Sequence, residues 1–316
     1  MTLCRIFVAT PSECVGLVDT GNVQYRVHTW LDRTLRGYEN RVATLDDADI
    51  VFFNASFSFR NRLRYPCYSA LDEFAWSTNK TIYAVSFGET TFFPRYNQKR
   101  LPEHVRWLIM DSKRPTDIVV PFSISRPEWL VSDNFSTLSP DWTKRRPFLM
   151  AGHVPKLTIS PLRYVIYNRL QSRTDASVFG TGEHVRTHHR LSSDEYIRAA
   201  MRHRFCIAAS GDNFATPKMT EAVLFAAHGG CLPIIVSSNR HQKWPFENRF
   251  DLRAHGIFAT LSDFNAKITR AIKMDGSEAL AMQTFYQSVA SSYQSVVRAS
   301  SASRTTLDEM CLRANH

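Results

Sequence analysis

Short apolar runs without polar alternation recur along the whole chain, separated by stretches in which apolar residues return at helical spacing. Such runs are the signature of strands buried on both faces of a parallel sheet. In the first half they fall at about 4–9, 49–53, 81–86, 106–110 and 117–121, and in the second at about 147–151, 176–180, 204–209, 231–236 and 256–259. Helical patterns occupy about 23–36, 67–77, 161–172, 193–202, 217–228 and 262–274. Each half therefore predicts a doubly wound α/β sheet of its own. The stretch from Ser132 to Arg146, rich in Ser, Thr, Pro and charge, reads as the linker. A final helical pattern over about 277–298 is expected to pack back toward the first domain, and Ala299 to His316 reads as a loosely attached tail. The expected divisions are thus 1–140, 141–276 and 277–316.

The segment Arg204 to Val236 carries the most chemistry. Its order is buried strand, polar loop at Ser210-Gly211-Asp212-Asn213, helix opened by Pro217, terminating pair Gly229-Gly230, and second buried strand. In open α/β sheets the loop after such a strand lies where ligands bind, and the helix amino terminus directs N–H groups and partial positive charge at that crevice. Lys218 sits in the first turn, where an acidic residue is ordinarily favoured, which suggests an anionic partner from outside the chain. Glu221, one turn on, faces the same way and suits two ribose hydroxyls. A solvated surface pair is the alternative for both.

These residues resemble the exostosin-like glycosyltransferases, glycosyltransferase family 47. The matching elements are Phe205-Cys206-Ile207, Gly211, Thr216-Pro217-Lys218, Glu221-Ala222 and Gly230-Cys231-Leu232-Pro233-Ile234-Ile235. Weaker echoes are Leu45 to Phe53, Asp117-Ile118-Val119-Val120-Pro121 and Trp244-Pro245-Phe246. Lys218 stands where Arg is usual, and the family's Gly-x-Asp-His element is not recognisable. The resemblance implies the GT-B architecture, two Rossmann-like domains facing across a cleft. It further implies inverting transfer of a sugar from a UDP-sugar (xylose, galactose and glucuronic acid are all used) to a glycan hydroxyl, with no metal. Ser210, Gly211, Thr216, Lys218 and Glu221 would then hold the nucleotide, Lys218 at the diphosphate and Glu221 at the ribose. Phe179-Gly180-Thr181-Gly182 ends a neighbouring strand, so Gly180 and Gly182 either border the base of the nucleotide or make a plain tight turn.

An inverting reaction needs one carboxylate to deprotonate the acceptor while the diphosphate leaves from the opposite face. Glu89, after the strand Tyr83 to Phe87 and Gly88, is the candidate; Asp72 and Glu73 are reserves. Ser12 and Glu13 either line the acceptor side or form a turn. A catalytically silent nucleotide-sugar or glycan-binding scaffold is the competing reading, favoured by Lys218 and by the missing element.

Composition narrows the field less. A formal net charge of +10 attracts anions of any kind. No zinc knuckle, RNP-like motif or long basic tail points to nucleic acid. Nothing approaches 18 consecutive apolar residues, so no membrane segment or leader is expected. Six cysteines without paired spacing suit reduced thiols in the cytoplasm; Cys206 and Cys231, on nearby strands, could be bridged, but a buried free pair is the preferred reading. On that reading the sequons at Asn54, Asn79 and Asn134 are chance. Asp47-Ala48-Asp49 and the His184, His188, His189 cluster have metal-like spacing, but their settings favour a helix-to-strand joint and a polar loop.

Overall fold

The computed structural model describes residues 4–14, 26–57, 65–86, 101–109, 116–120, 141–154, 157–158, 160–182, 185, 190–211, 216–238, 249–297 and 299–314. They divide into two compact units: Met1–Ser125, Lys243–Phe246 and Ser295–His316 form the first, and Arg126–Gln242 with Glu247–Gln294 the second.

The first unit is a parallel sheet of six strands. In chain order these are β1 (Ile6–Ala9), β2 (Arg41–Val42), β3 (Ile50–Phe57), β4 (Thr81–Ser86), β5 (Val105–Ile109) and β6 (Ile118–Val119). Across the sheet the order is β2-β1-β3-β4-β5-β6, with Ile6 opposite Ile50 and Phe53 opposite Ala84. Side chains alternate between the faces. Val51, Phe53, Ile82, Ala84 and Trp107 meet Cys67, Leu71 and Ala75 of α2 (Tyr65–Trp76) in one buried layer. The opposite face is covered by α1 (Arg26–Arg36) and by α8 (Ala299–Ala314).

Helix α8 corrects the expectation of a loose tail. Leu307, Met310 and Cys311 are buried, as are Ser303, Thr305 and Thr306. Ser303 and Thr34 share a hydrogen bond of 2.8 Å, and the Tyr83 hydroxyl donates to the Met310 carbonyl at 3.4 Å. Arg313 donates to the carbonyls of Thr116 and Asp117, while Arg106 donates to that of Arg313. Small polar residues disguise this helix in the sequence, because Ser and Thr read as loop-formers until burial supplies them with partners.

The cysteines are a second correction. Cys4 is bonded to Cys311, Cys14 to Cys67 and Cys206 to Cys231, with Cα separations of 5.4, 4.9 and 5.4 Å. No free thiol is left. The pairing defeats a reading by spacing because partners lie 307 and 53 positions apart and meet only through the tertiary fold.

The second unit is a parallel sheet of five strands, β7 (Arg146–His153), β8 (Ala176–Thr181), β9 (His203–Ala209), β10 (Leu232–Val236) and β11 (Ile257–Ala259), ordered β11-β10-β9-β7-β8. Every residue of β10 and the last five of β9 are buried, as the unbroken apolar runs predict. The connecting helices are α3 (Pro161–Gln171), α4 (Ser193–Arg202), α5 (Pro217–Ala227) and α6 (Phe264–Ile272), followed by α7 (Gly276–Val297). Sequence sets their ends. Ser192 and Glu195 form a reciprocal capping box on α4. Helix α5 stops where Gly229, at φ +81°, lets its own N–H reach Ala226 and that of Gly230 reach Phe225, closing a Schellman turn. Helix α7 belongs to this unit as far as Gln294, its Gln283 amide donating to the Gly230 carbonyl and Phe285 stacking on His255. The expected docking on the first domain is made by α8 instead.

Candidate functional site

Strand order locates a crevice in each unit. Chain order reverses direction between β7 and β9 in the second sheet and between β1 and β3 in the first. At such a switch point the flanking loops part company at the carboxyl edge and leave room for a ligand.

In the second unit, a narrow cavity of about 20 Å³, room for a single water, opens at this edge. Its lining includes Gly152 and His153 from the end of β7, Ala209 from the end of β9, Arg163 from α3 and Lys218 from α5. The arrangement follows from sequence. The buried run of β9 ends at Ser210, whose N–H bonds the Val236 carbonyl at 2.9 Å. Thr216 then caps α5 and Pro217 opens it, which puts Lys218 in the lining and Glu221 one turn further along the helix. The Thr216 hydroxyl oxygen is buried and finds no hydrogen-bond partner among the described residues. A buried hydroxyl without a partner is unfavourable, and here it stands at a helix amino terminus with its partial positive charge.

Lys218 and Glu221 are brought together rather than left open. The Lys218 ammonium donates to Glu221 Oε2 at 2.8 Å and lies 3.9 Å from the centre of the Tyr196 ring. Glu221 is buried at 8% exposure, whereas the lysine side chain keeps 33% of its surface in water. Loss of water by burial first, and then the charge of Glu221, push the pKa of the Tyr196 hydroxyl well above the phenol range. Lys218 thus links the carboxylate of its own helix to the aromatic ring of Tyr196.

Arg163 is the residue that sequence reasoning missed. Its guanidinium donates to the carbonyls of Ala209 and His153, tying the ends of β9 and β7 together across the switch point. It fills the space a side chain at Gly211 would take, since a Cβ there would lie 2.5 Å from its terminal nitrogen. The available signal was an arginine in the first turn of α3, just after Pro161, another cation at an unfavourable helix end.

Gly180 and Gly182 are required by packing. A Cβ on Gly180 would lie 2.6 Å from the Tyr167 ring, and Gly182, at φ +138°, would drive one into the Val154 carbonyl. Gly182→Ala is expected to cost about 1–3 kcal/mol from the backbone conformation alone, read as a lower melting temperature of the second unit. An unchanged melting curve would show that this turn relaxes freely.

In the first unit, the β1/β3 switch point carries a larger cavity of about 200 Å³, lined by Val8, Thr10, Asp32, Leu35, Arg36, Arg41 and Asn54. The Asp32 carboxylate is held by Asn54 Nδ2 at 2.9 Å and by Arg36 Nε at 3.0 Å. The sequence reading gave none of these residues a place in a site, Asn54 entering it only as a sequon. Of its own candidates, Asp72 lies on α2 and accepts from the exposed indole of Trp76 at 3.1 Å. Ser12 and Glu13 begin the short 3-10 turn that ends at the buried Cys14. Glu89, Asp212, Asn213, the histidines 184, 188 and 189, and Trp244 to Phe246 lie outside the described residues. Asp47 accepts from Thr44 and Asp49 pairs with Arg5 at 2.8 Å, so the two carboxylates serve different partners. Among the described residues no group of three or more His, Cys, Asp or Glu could hold a metal ion, and no helix is long and apolar enough to cross a membrane.

No family model matches the chain, and no curated protein matches it. Among solved structures it is similar to the complex of S. aureus MnaA with UDP, at 10% identity and TM-score 0.38 over 99% of this chain and 97% of that one. It is also similar to the glycosyltransferase of kitacinnamycin, at 10% identity and TM-score 0.39 over 97% and 98%. At likenesses this slight, the fold rests on the two parallel sheets themselves.

Proposed function

We propose that the chain is an inverting glycosyltransferase that moves a sugar from a UDP-sugar to a hydroxyl of a glycan acceptor. The carrying observation is the pair of cations, Lys218 and Arg163, at the carboxyl-edge switch point beside the amino terminus of α5, with Glu221 one turn along. A leaving diphosphate needs positive charge fixed in place before the bond breaks. Two side-chain cations and a helix dipole supply it without a divalent ion, so transfer is expected to persist in excess chelator. Glu221 would accept from the ribose hydroxyls, with Ser210, Gly211 and Thr216 at the diphosphate and Gly180 and Gly182 bordering the base. Xylose, galactose and glucuronic acid are the candidate sugars. The acceptor would occupy the first unit, whose switch-point cavity offers Asp32, Asn54 and Thr10 to hydroxyls and Arg36 and Arg41 to acidic groups.

Glu89 is the proposed general base, with Asp72 in reserve. Glu89→Gln is expected to slow release of UDP from its sugar by about 10²–10⁴-fold, the usual contribution of a positioned base, while UDP binding persists. Unchanged turnover removes Glu89 from the mechanism, and loss in Asp72→Asn instead transfers the role. The Lys218–Glu221 pair favours a second reading, a binding scaffold, because a cation already neutralised by a carboxylate is a weaker phosphate ligand. A thermal-shift panel of UDP- and GDP-sugars finds the donor. Binding without any UDP release by the unaltered chain would favour the scaffold.

A further inference from the structure

Independently of the proposed activity, the disulfides and the turn after α2 lead to a modification site. We propose that Asn79 carries an N-linked glycan. All six cysteines are engaged in three disulfides, a state that persists in oxidising compartments and is rare where glutathione and thioredoxin keep thiols reduced. The eukaryotic secretory pathway is such a compartment, and there Asn-x-Ser/Thr sequences meet the machinery that modifies them.

The fold discriminates between the sequons. Asn54 lies inside β3, its amide nitrogen donates to Asp32, and the following Ala55 is fully buried, so a glycan there would have to displace the sheet. Asn134 lies outside the described residues. Asn79-Lys80-Thr81 occupies the turn between α2 and β4. Asn79 is exposed, and its side chain makes no hydrogen bond to the described residues. Lys80 is drawn aside, its ammonium donating to the carbonyls of Ala48 and Asp46, and its N–H is bonded by the Thr78 hydroxyl. The asparagine is thereby left alone at the tip of the turn. Three residues earlier, Trp76 is 69% exposed, with its indole N–H tied to Asp72. The indole offers an apolar face on which the C–H face of a first sugar can rest.

The bond formed is from Asn79 Nδ2 to the anomeric carbon of a polyprenyl-diphosphate-linked oligosaccharide. The carbon–oxygen bond to the diphosphate breaks, the polyprenyl diphosphate leaves with the electron pair, and the amide proton passes to a base of the modifying transferase. No electrons are exchanged with an oxidant or reductant.

The full chain, secreted from a eukaryotic host and purified with its disulfides intact, provides the test. Enzymatic release of N-glycans converts a modified asparagine to aspartate, so peptide mapping reads each site. Conversion at Asn79, its loss in Asn79→Gln and in Thr81→Ala, and its retention in Thr81→Ser support the proposal. An unmodified Asn79, or a glycan at Asn54 in its place, overturns it. Asn79→Gln is a surface change, and a melting curve matching that of enzymatically deglycosylated protein separates lost modification from misfolding. Alkylation of denatured protein without reductant should label no cysteine; six labelled thiols would remove the ground for the oxidising compartment and the proposal with it.

Discussion

Replacing Glu221 with alanine is expected to weaken UDP binding by about 10²-fold in calorimetry. Two hydrogen bonds to a buried carboxylate, at about 1.5 kcal/mol each, amount to about that factor. A second effect runs the other way. The Lys218 ammonium, now 2.8 Å from Glu221, would be released toward the diphosphate. Because the lysine side chain is a third exposed, that pair itself is worth only about 1 kcal/mol, so loss of ribose contacts should dominate. Glu221→Gln separates the two, since the amide carbonyl still accepts a hydroxyl while the charge on Lys218 is no longer balanced. Its affinity should lie between those of the native chain and the alanine variant. Undiminished UDP affinity in Glu221→Ala would sink the ribose assignment and leave Glu221 as the partner of Lys218 and Tyr196 alone.

The double variant Cys4→Ser, Cys311→Ser is expected to lower the melting temperature of the first unit by about 10 °C. The bond closes a loop across 307 positions, and the chain-entropy account assigns such a loop up to about 5 kcal/mol. For a unit of this size each kcal/mol moves the transition by about 2–4 °C. Cys4 sits just before β1 and Cys311 near the end of α8, with the Tyr38 hydroxyl between them bonding the Cys4 carbonyl at 3.1 Å. Freed, α8 should fray first, seen as faster hydrogen exchange over 303–311 with the second unit unaffected. A melting curve that does not move would mean that packing alone holds α8.

Much of the fold was legible because its signals are local. An unbroken apolar run such as Phe205 to Ala209 has one physical explanation in a chain that alternates strand and helix. Pro217 and Gly229 mark the ends of α5 through restrictions on their own backbones. The donor-side residues were legible for the same reason: Lys218 and Glu221 are close in sequence and stand on one helical face. What stayed hidden depended on distant partners. Arg163 acquires its place only when α3 lies over the ends of β7 and β9. Asp32 and Arg36 pair within α1, but Asn54 joins them only when α1 lies on β3. Cys4 and Cys311 are separated by nearly the entire chain, and α8 is built of Ser and Thr whose burial no periodicity announces. The candidate Glu89 rests on position alone, after a buried strand, and its test is therefore chemical.

The late arrival of α8 dictates an order of assembly during synthesis. The strands of the first unit precede the second unit, yet the helix that covers one face of their sheet follows it. At about 5–20 residues per second, Cys4 waits roughly 15–60 s for its partner to emerge. Cys14 and Cys67 become available within that interval, so the nascent chain must avoid pairing either of them with Cys4. The second unit is interrupted only by Lys243–Phe246 and finishes at Gln294, before α8 is made. It can therefore reach its native state first, while the earlier-born unit still has an open apolar face for a chaperone or an isomerase to guard.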